Sequence, residues 1–280
     1  MLRLDLLHPL IGGNKWYKLR LNLQAAKDQG YTKVLSFGGA YSNHLHALSA
    51  AGKLMGLDTI GVVRGESAQP LNATLTFARQ QGMALHHVTR TDYRDKNSPV
   101  FIARLHEQFG DFYLIPEGGA NVAGTQGCAE IARLLHWSAS STERIVALAC
   151  GTGTTLAGLL LGRTEDYRVL GMAVLKGDFL EHDVREMLQQ CGSEDPGNWQ
   201  ISLEWHCGGY ARVTPELLEF IHGFYQRTGI PLEPVYTGKL MMGLYHLLAR
   251  GEFAPGSELI AVHTGGLQAF LENIPTWRDQ

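Results

Sequence analysis

The stretch RIVALACGTGTTLAGLLLG, residues 144–162, decides the fold. After Arg144 the chain runs Ile145-Val146-Ala147-Leu148-Ala149 without polar alternation, the pattern of a strand buried on both faces. It meets Gly151-Thr152-Gly153-Thr154-Thr155 and then an apolar helical pattern. A buried strand turning through glycines into a helix is the repeating unit of a parallel sheet.

The same unit recurs to either side. Val34-Leu35-Ser36-Phe37 ends in Gly38-Gly39, and a helical pattern follows from about Asn43 to Met55. Thr59-Ile60-Gly61-Val62-Val63 ends in Arg64-Gly65, Leu71 to Gln81 reads as a helix, and Leu85-His86-His87-Val88 reads as a strand. Phe112 to Ile115 precedes Pro116-Glu117-Gly118-Gly119, with a helix to about Leu135. Val169 to Val174 and Leu259 to Val262 complete the strands, the last ending at His263-Thr264-Gly265-Gly266. Strands alternating with helices predict an α/β fold with parallel sheets flanked by helices, and ligands bind beyond the carboxyl ends of such strands. The glycine-rich loops fall there. The polar segments 92–99 and 192–199 read as surface loops or a domain rim.

Composition narrows the function. The 280 residues are 45% hydrophobic and 18% charged, enough to bury one large core or two interleaved ones. Lys and Arg number 24 against 27 Asp and Glu, so no basic excess exists to neutralise a nucleic-acid backbone. No apolar run of about 18 residues predicts a membrane span, and the first nine residues lack a signal-peptide core. Cys128, Cys150, Cys191 and Cys207 form no C-x-x-C pair, a spacing unlike a disulfide framework or zinc site. A reduced cytoplasmic protein is the expectation. The histidines show no H-E-x-x-H pattern, no G-x-S-x-G elbow is present, and the Asn72-Ala73-Thr74 sequon is uninformative in a cytosolic chain.

Three glycine-rich elements carry the chemistry. Gly12-Gly13-Asn14-Lys15 puts a lysine at or near a helix start, where partial positive charge lowers the ammonium pKa and leaves a nucleophilic amine. By itself the pattern reads better as a turn followed by a surface lysine. Gly38-Gly39-Ala40-Tyr41-Ser42-Asn43-His44 places Ser42 and Asn43 at a helix entrance, either as a plain cap or as a seat for a carboxylate. Gly151 to Thr155 offers successive N–H groups, threonine hydroxyls and a helix dipole to an anion. A dinucleotide fingerprint fails, because the glycines are spaced G-x-G-x-x-x-x-G and no acidic residue follows about 20 positions on. A Walker loop fails for want of a lysine after the glycines. A single terminal phosphate fits. A reactive lysine, a carboxylate pocket and a phosphate cup are together what pyridoxal 5′-phosphate (PLP) and an amino acid require.

At this point the chain resembles a known family. GGNKWYKL (12–19), SFGGAYSNH (36–44), IPEGG (115–119), ACGTGTT (149–155), PVYTGK (234–239) and HTGG (263–266) are similar, in order, to the blocks of the 1-aminocyclopropane-1-carboxylate (ACC) deaminase and D-cysteine desulfhydrase family of fold-type II PLP enzymes. A few tens of residues usually precede the first block in that family. Eleven do here, the mark of an abbreviated form or a misassigned start.

The resemblance implies two open twisted, mainly parallel sheets flanked by helices, as in the tryptophan synthase β-like fold. A larger domain of residues 1–28 and 116–280 would enclose a smaller inserted one of 29–115. Lys15 matches the lysine that joins the cofactor covalently, and Asn43 the asparagine on its 3′-oxygen. Gly151, Thr152, Gly153, Thr154 and Thr155 match the phosphate loop. Ser42 matches a serine near the substrate, and Tyr236 and Tyr210 match active-site tyrosines, although Ala211-Arg212-Val213 beside Tyr210 depart from the pattern. ACC deaminases resemble one another in a glutamate after the PVY block and a leucine before the last glycine pair. Thr237 and Thr264 stand there, as in the D-cysteine desulfhydrase branch. A neutral threonine facing the pyridine nitrogen would leave the ring a shallower electron sink, suited to expelling a β-leaving group. Tyr41, Leu45 and His46 differ from the usual residues around the Ser-Asn pair and would reshape the substrate pocket. The implied reaction is α,β-elimination from a small D-amino acid such as D-cysteine, giving pyruvate, ammonia and sulfide. ACC deamination and a non-catalytic PLP carrier or regulator are the alternatives, and a homodimer is usual for the family.

Overall fold

The computed structural model describes residues 1–67 and 70–269. Strands β2 (Lys33–Gly39), β3 (Asp58–Arg64), β4 (Ala84–Val88) and β5 (Tyr113–Ile115) form a four-stranded sheet in the order β4-β3-β2-β5. Strands β1 (Leu2–Arg3), β6 (Arg144–Cys150), β7 (Arg168–Ala173), β8 (Trp199–Ser202) and β9 (Glu258–His263) form a five-stranded sheet in the order β1-β9-β6-β7-β8. Every pairing is parallel. The fold is therefore α/β with two parallel sheets, as the sequence predicts.

Helices cover both faces of each sheet. They are α1 (Asn14–Asp28), α2 (Asn43–Met55), α3 (Ala73–Gln80), α4 (Arg90–Arg94), α5 (Pro99–Phe109), α6 (Val122–Ala129), α7 (Thr154–Leu161), α8 (Leu180–Gln190), α9 (Pro215–Thr228) and α10 (Thr237–Ala249). The unbroken apolar run of β6 follows from this layering. Val146, Leu148 and Cys150 pack with Leu156 of α7 and Val184 of α8. Ile145, Ala147 and Ala149 point the other way, to Ile221 of α9 and Leu240 of α10. In the smaller sheet, Val34 packs with Leu45 and Leu48 of α2, while Leu35 and Phe37 pack with Phe101 and Leu105 of α5. Helix α1 serves both cores: Leu19 and Leu23 join the first of these, and Tyr17 joins the β6–α7 core.

Some elements depart from the sequence reading. The helix expected to reach Leu135 tightens after Ala129 into a 3-10 turn over Glu130–Leu134, which satisfies late carbonyls at shorter reach. The polar segment 92–99 is partly helical, because the Thr89 hydroxyl accepts from the Asp92 N–H at 3.1 Å and starts α4. Trp199, expected in a loop, opens edge strand β8. Among the described residues no helix is long and apolar enough to cross a membrane. The four cysteines are free.

Candidate active site

A cleft of about 1590 Å³ opens where loops from the carboxyl ends of both sheets meet. Of the residues singled out by sequence, Lys15, Ser42, Asn43, Gly151, Thr152, Gly153, Thr155, Tyr210, Tyr236 and Thr264 line it. Thr154 and Thr237 do not. Both are fully buried one layer behind it.

Lys15 is placed by close backbone packing. Gly13 holds φ at 86°, and a Cβ there would collide with the Thr264 carbonyl oxygen. Only glycine fits both conditions. The Asn14 N–H donates to that same carbonyl at 3.2 Å, and α1 begins at once. The Asn14 side chain donates to Thr155 Oγ1 at 2.8 Å and accepts from Lys15 Nζ at 3.0 Å. Burial, and then the charge of Lys18, lower the Lys15 pKa to about 7. An amine of that basicity is substantially neutral near physiological pH, the state in which it attacks an aldehyde or accepts a proton.

Lys18 was not singled out from the sequence, yet it lines the cleft on the same face of α1, one turn from Lys15. It is 4% exposed, and Nζ donates to Thr152 Oγ1 at 3.2 Å. Its pKa is also lowered by burial. A buried lysine facing a glycine–threonine loop is a strong seat for an anion. The loop is shaped for one. Gly153 has φ 73° immediately before α7, and the Thr152 and Thr154 hydroxyls bond at 2.8 Å. Thr154 thus braces Thr152 from behind.

On the opposite wall, Ser42 Oγ accepts from the Leu45 N–H at 3.2 Å and caps α2. Asn43 Oδ1 accepts from Gln268 Nε2 at 2.5 Å. A Cβ on Gly266 would stand 2.5 Å from Asn43 Nδ2, so glycine there keeps the amide accessible. His44 is another residue the sequence did not single out. Ser36 Oγ donates to the Ile115 carbonyl at 2.8 Å, so the 2.9 Å contact with His44 is an Nε2–H donating to Ser36. That leaves Nδ1 as a buried acceptor without a partner among the described residues. Burial, with Lys15 and Lys18 nearby, holds the ring neutral.

Tyr236 Oη donates to Tyr210 Oη at 3.3 Å, and Lys15 Nζ lies 6.0 Å from the Tyr236 ring centroid. Burial raises the Tyr236 pKa well above its ordinary value, so this phenol keeps its proton and is a hydrogen-bond donor. Thr237 sits behind the cleft wall. Its hydroxyl donates to Glu233 Oε1 at 3.1 Å instead of lining the cleft. Glu233, which does line it, accepts from the N–H groups of Val235, Tyr236 and Thr237 at 2.6–3.1 Å. Burial raises its pKa, opposed by these hydrogen bonds at the start of α10. The signal for Glu233 was local, an acidic residue four positions before Thr237 at a helix start.

The donor set fits a pyridoxal phosphate: a weakly basic lysine, a buried cation beside a positive-φ glycine loop, and an orphaned acceptor. Lys15 would hold its aldehyde carbon, and Lys18 with Gly151 to Thr155 its phosphate. No group of three potential metal ligands is present among the described residues.

The comparisons define the class. Residues 1–265 match the family model described as pyridoxal-phosphate dependent enzyme, and the chain belongs to that family. It is 31% identical over 269 residues to a putative ACC deaminase of Pyrococcus horikoshii, spanning 92% of this chain and 81% of that one. A bifunctional D-cysteine desulfhydrase/ACC deaminase of Arabidopsis thaliana is 28% identical, over 94% of this chain and 71% of its own length. A crystal structure of an ACC deaminase homologue superposes with a TM-score of 0.81 at 30% identity, covering 96% of this chain and 84% of that chain. The fold is thus the type II fold of PLP-dependent enzymes, and the family's lyase and deaminase chemistry is the frame for this site.

Proposed function

We propose that this chain catalyses α,β-elimination of a small D-amino acid, D-cysteine or a close β-substituted relative, to pyruvate, ammonia and the released β-group. The observation that carries the reading is the weakly basic Lys15 amine facing Tyr236 across the cleft, with the phosphate cup behind it. Bound PLP supplies an electron sink for charge developing at the substrate Cα. The chain supplies the rest. The helix α2 entrance at Ser42 and Asn43 seats the substrate carboxylate. Lys15 Nζ is the base placed to take the Cα proton. Tyr236, protonated and 3.3 Å from Tyr210 Oη, would turn its single O–H from Tyr210 to the leaving β-group. Loss of the Cα proton and of the β-group with its electron pair creates a Cα=Cβ bond, and hydrolysis of the released enamine yields pyruvate and ammonia.

Because Glu233 is fully engaged by α10 and Thr237, no spare carboxylate is offered to the pyridine nitrogen from this wall. This supports β-elimination over ring opening. The printed names of the relatives favour a second reading, ACC deamination. We further propose a cytoplasmic homodimer acting on a small amino acid. Pyruvate release from a panel of D- and L-amino acids and ACC decides: D-cysteine turnover with little from ACC is expected. Robust ACC turnover would install the second reading. PLP binding without any turnover would leave a carrier.

A further inference from the structure

The rim of the cleft carries a charge arrangement that neither the cofactor nor an α-amino acid uses. Arg64, the last residue of β3, and Lys96, after α4, both line the cleft at the carboxyl end of the smaller sheet. Both approach one aromatic ring. The Arg64 guanidinium lies 5.6 Å from the Tyr93 ring centroid and Lys96 Nζ lies 5.1 Å from it. Tyr93 is itself 3% exposed and set edge-on to Phe37 in the core, so it fixes where the two cations can sit. Each cation gains from the ring face, but two like charges sharing one ring repel. Within 4.0 Å among the described residues only Lys96 has a counter-charge, Glu117 at 3.3 Å, a carboxylate that also acts on Tyr93. Arg64 has no carboxylate within 4.0 Å among the described residues.

Arg64 also stands beside the loop that seats the substrate. It is the register partner of Gly39, and a Cβ on Gly39 would lie 3.5 Å from Arg64 Nη2. Gly39 opens the turn closed by Ser42, whose N–H donates to the Gly39 carbonyl at 3.0 Å. The phosphate cup belongs to the other sheet, after β6, where Lys18 already faces it.

The geometry points to a second anion subsite: Arg64, with Lys96 beside it on Tyr93, recognises a negatively charged group carried beyond Cβ of the amino-acid substrate. This deepens the function proposed above and rests on its placement of the substrate carboxylate at Ser42 and Asn43. The preferred substrates are then acidic β-substituted amino acids, in which the leaving group departs with its bonding electron pair and its charge is met by the guanidinium.

The test compares O-phospho-D-serine with β-chloro-D-alanine and D-cysteine in the PLP-loaded protein, with calorimetric titration by D-aspartate against D-alanine as a binding readout independent of turnover. We expect kcat/KM for the phosphorylated substrate to exceed that for the neutral ones. In Arg64→Gln it should fall about 10- to 100-fold, the cost of losing a charge-assisted contact. The neutral substrates should lose at least tenfold less. Arg64→Lys should recover part of the loss, and Lys96→Met should show a smaller effect in the same direction. Turnover of neutral substrates with no acidic preference would overturn the subsite and leave the elimination reading standing. If nothing is turned over, the elimination reading fails. The subsite then stands on D-aspartate binding more tightly than D-alanine in an Arg64-dependent way, and falls if the two bind alike.

Discussion

The low basicity of Lys15 has a measurable chemical consequence. With a pKa of about 7, roughly three quarters of Lys15 amines are neutral at pH 7.5, against about one in a thousand for an ordinary lysine of pKa near 10.5. Only the neutral amine forms an imine. Apo protein mixed with PLP at pH 7.5 and reduced with borohydride should therefore carry its label on Lys15. The rate of imine formation should rise with pH through a midpoint near 7 and then level off. Lys18→Met should move that midpoint upward, because the Lys18 charge is the second cause of the depression. The stability linkage has a definite sign. The folded state binds fewer protons at Lys15 than the unfolded state between pH 7 and about 10.5, so the apo protein gains stability as pH rises across that window. Lys15→Met removes the cost of holding the charged amine, so it should stabilise the apo protein most below pH 7, with the gain vanishing towards pH 10.5. A label on Lys18 or Lys239, or a midpoint above pH 9, would refute the reasoning.

Two further outcomes are expected. Thr152→Val removes the hydroxyl that accepts from Lys18 and bonds Thr154, and PLP affinity measured by absorption titration should fall about tenfold, with apo melting temperature little changed. Gly153 is a poorer probe, since a Cβ there would lie 2.7 Å from Val184 Cγ2 and strain the apo fold as well. Gly13→Ala should cost about 3 kcal/mol or more of stability in urea unfolding, because it combines a positive φ with a collision against the Thr264 carbonyl.

The strands buried on both faces were legible because their apolar runs are continuous and end in glycine. Helix α2 was legible from end to end, since Ser42 caps its start and Gly56, with φ 69°, closes it. Strand β1 was not, because two residues carry no periodicity. Helices α9 and α10 start without a strand running directly into them through glycines. At the site, the glycine–threonine loop stood out by its spacing and Lys15 by the resemblance, whereas the burial of Lys18 depends on α1 packing against α2 and α6, which no local pattern announces. The bond from Thr237 to Glu233 was not legible, because sequence alone does not show which carboxylates are already satisfied.

The contact of Gly13 and Asn14 with the Thr264 carbonyl ties the beginning of the described chain to its end. Ribosomal synthesis delivers those partners some 250 residues apart, and strand β9, which carries Thr264 into place, threads between β1 and β6 only after both exist. Until then the Thr264 carbonyl that seats Asn14 is missing, and Lys15 lacks the completed cleft whose burial lowers its pKa. The reactive amine is therefore built from both ends of the described chain, and a chain lacking β9 would lack one of its supports.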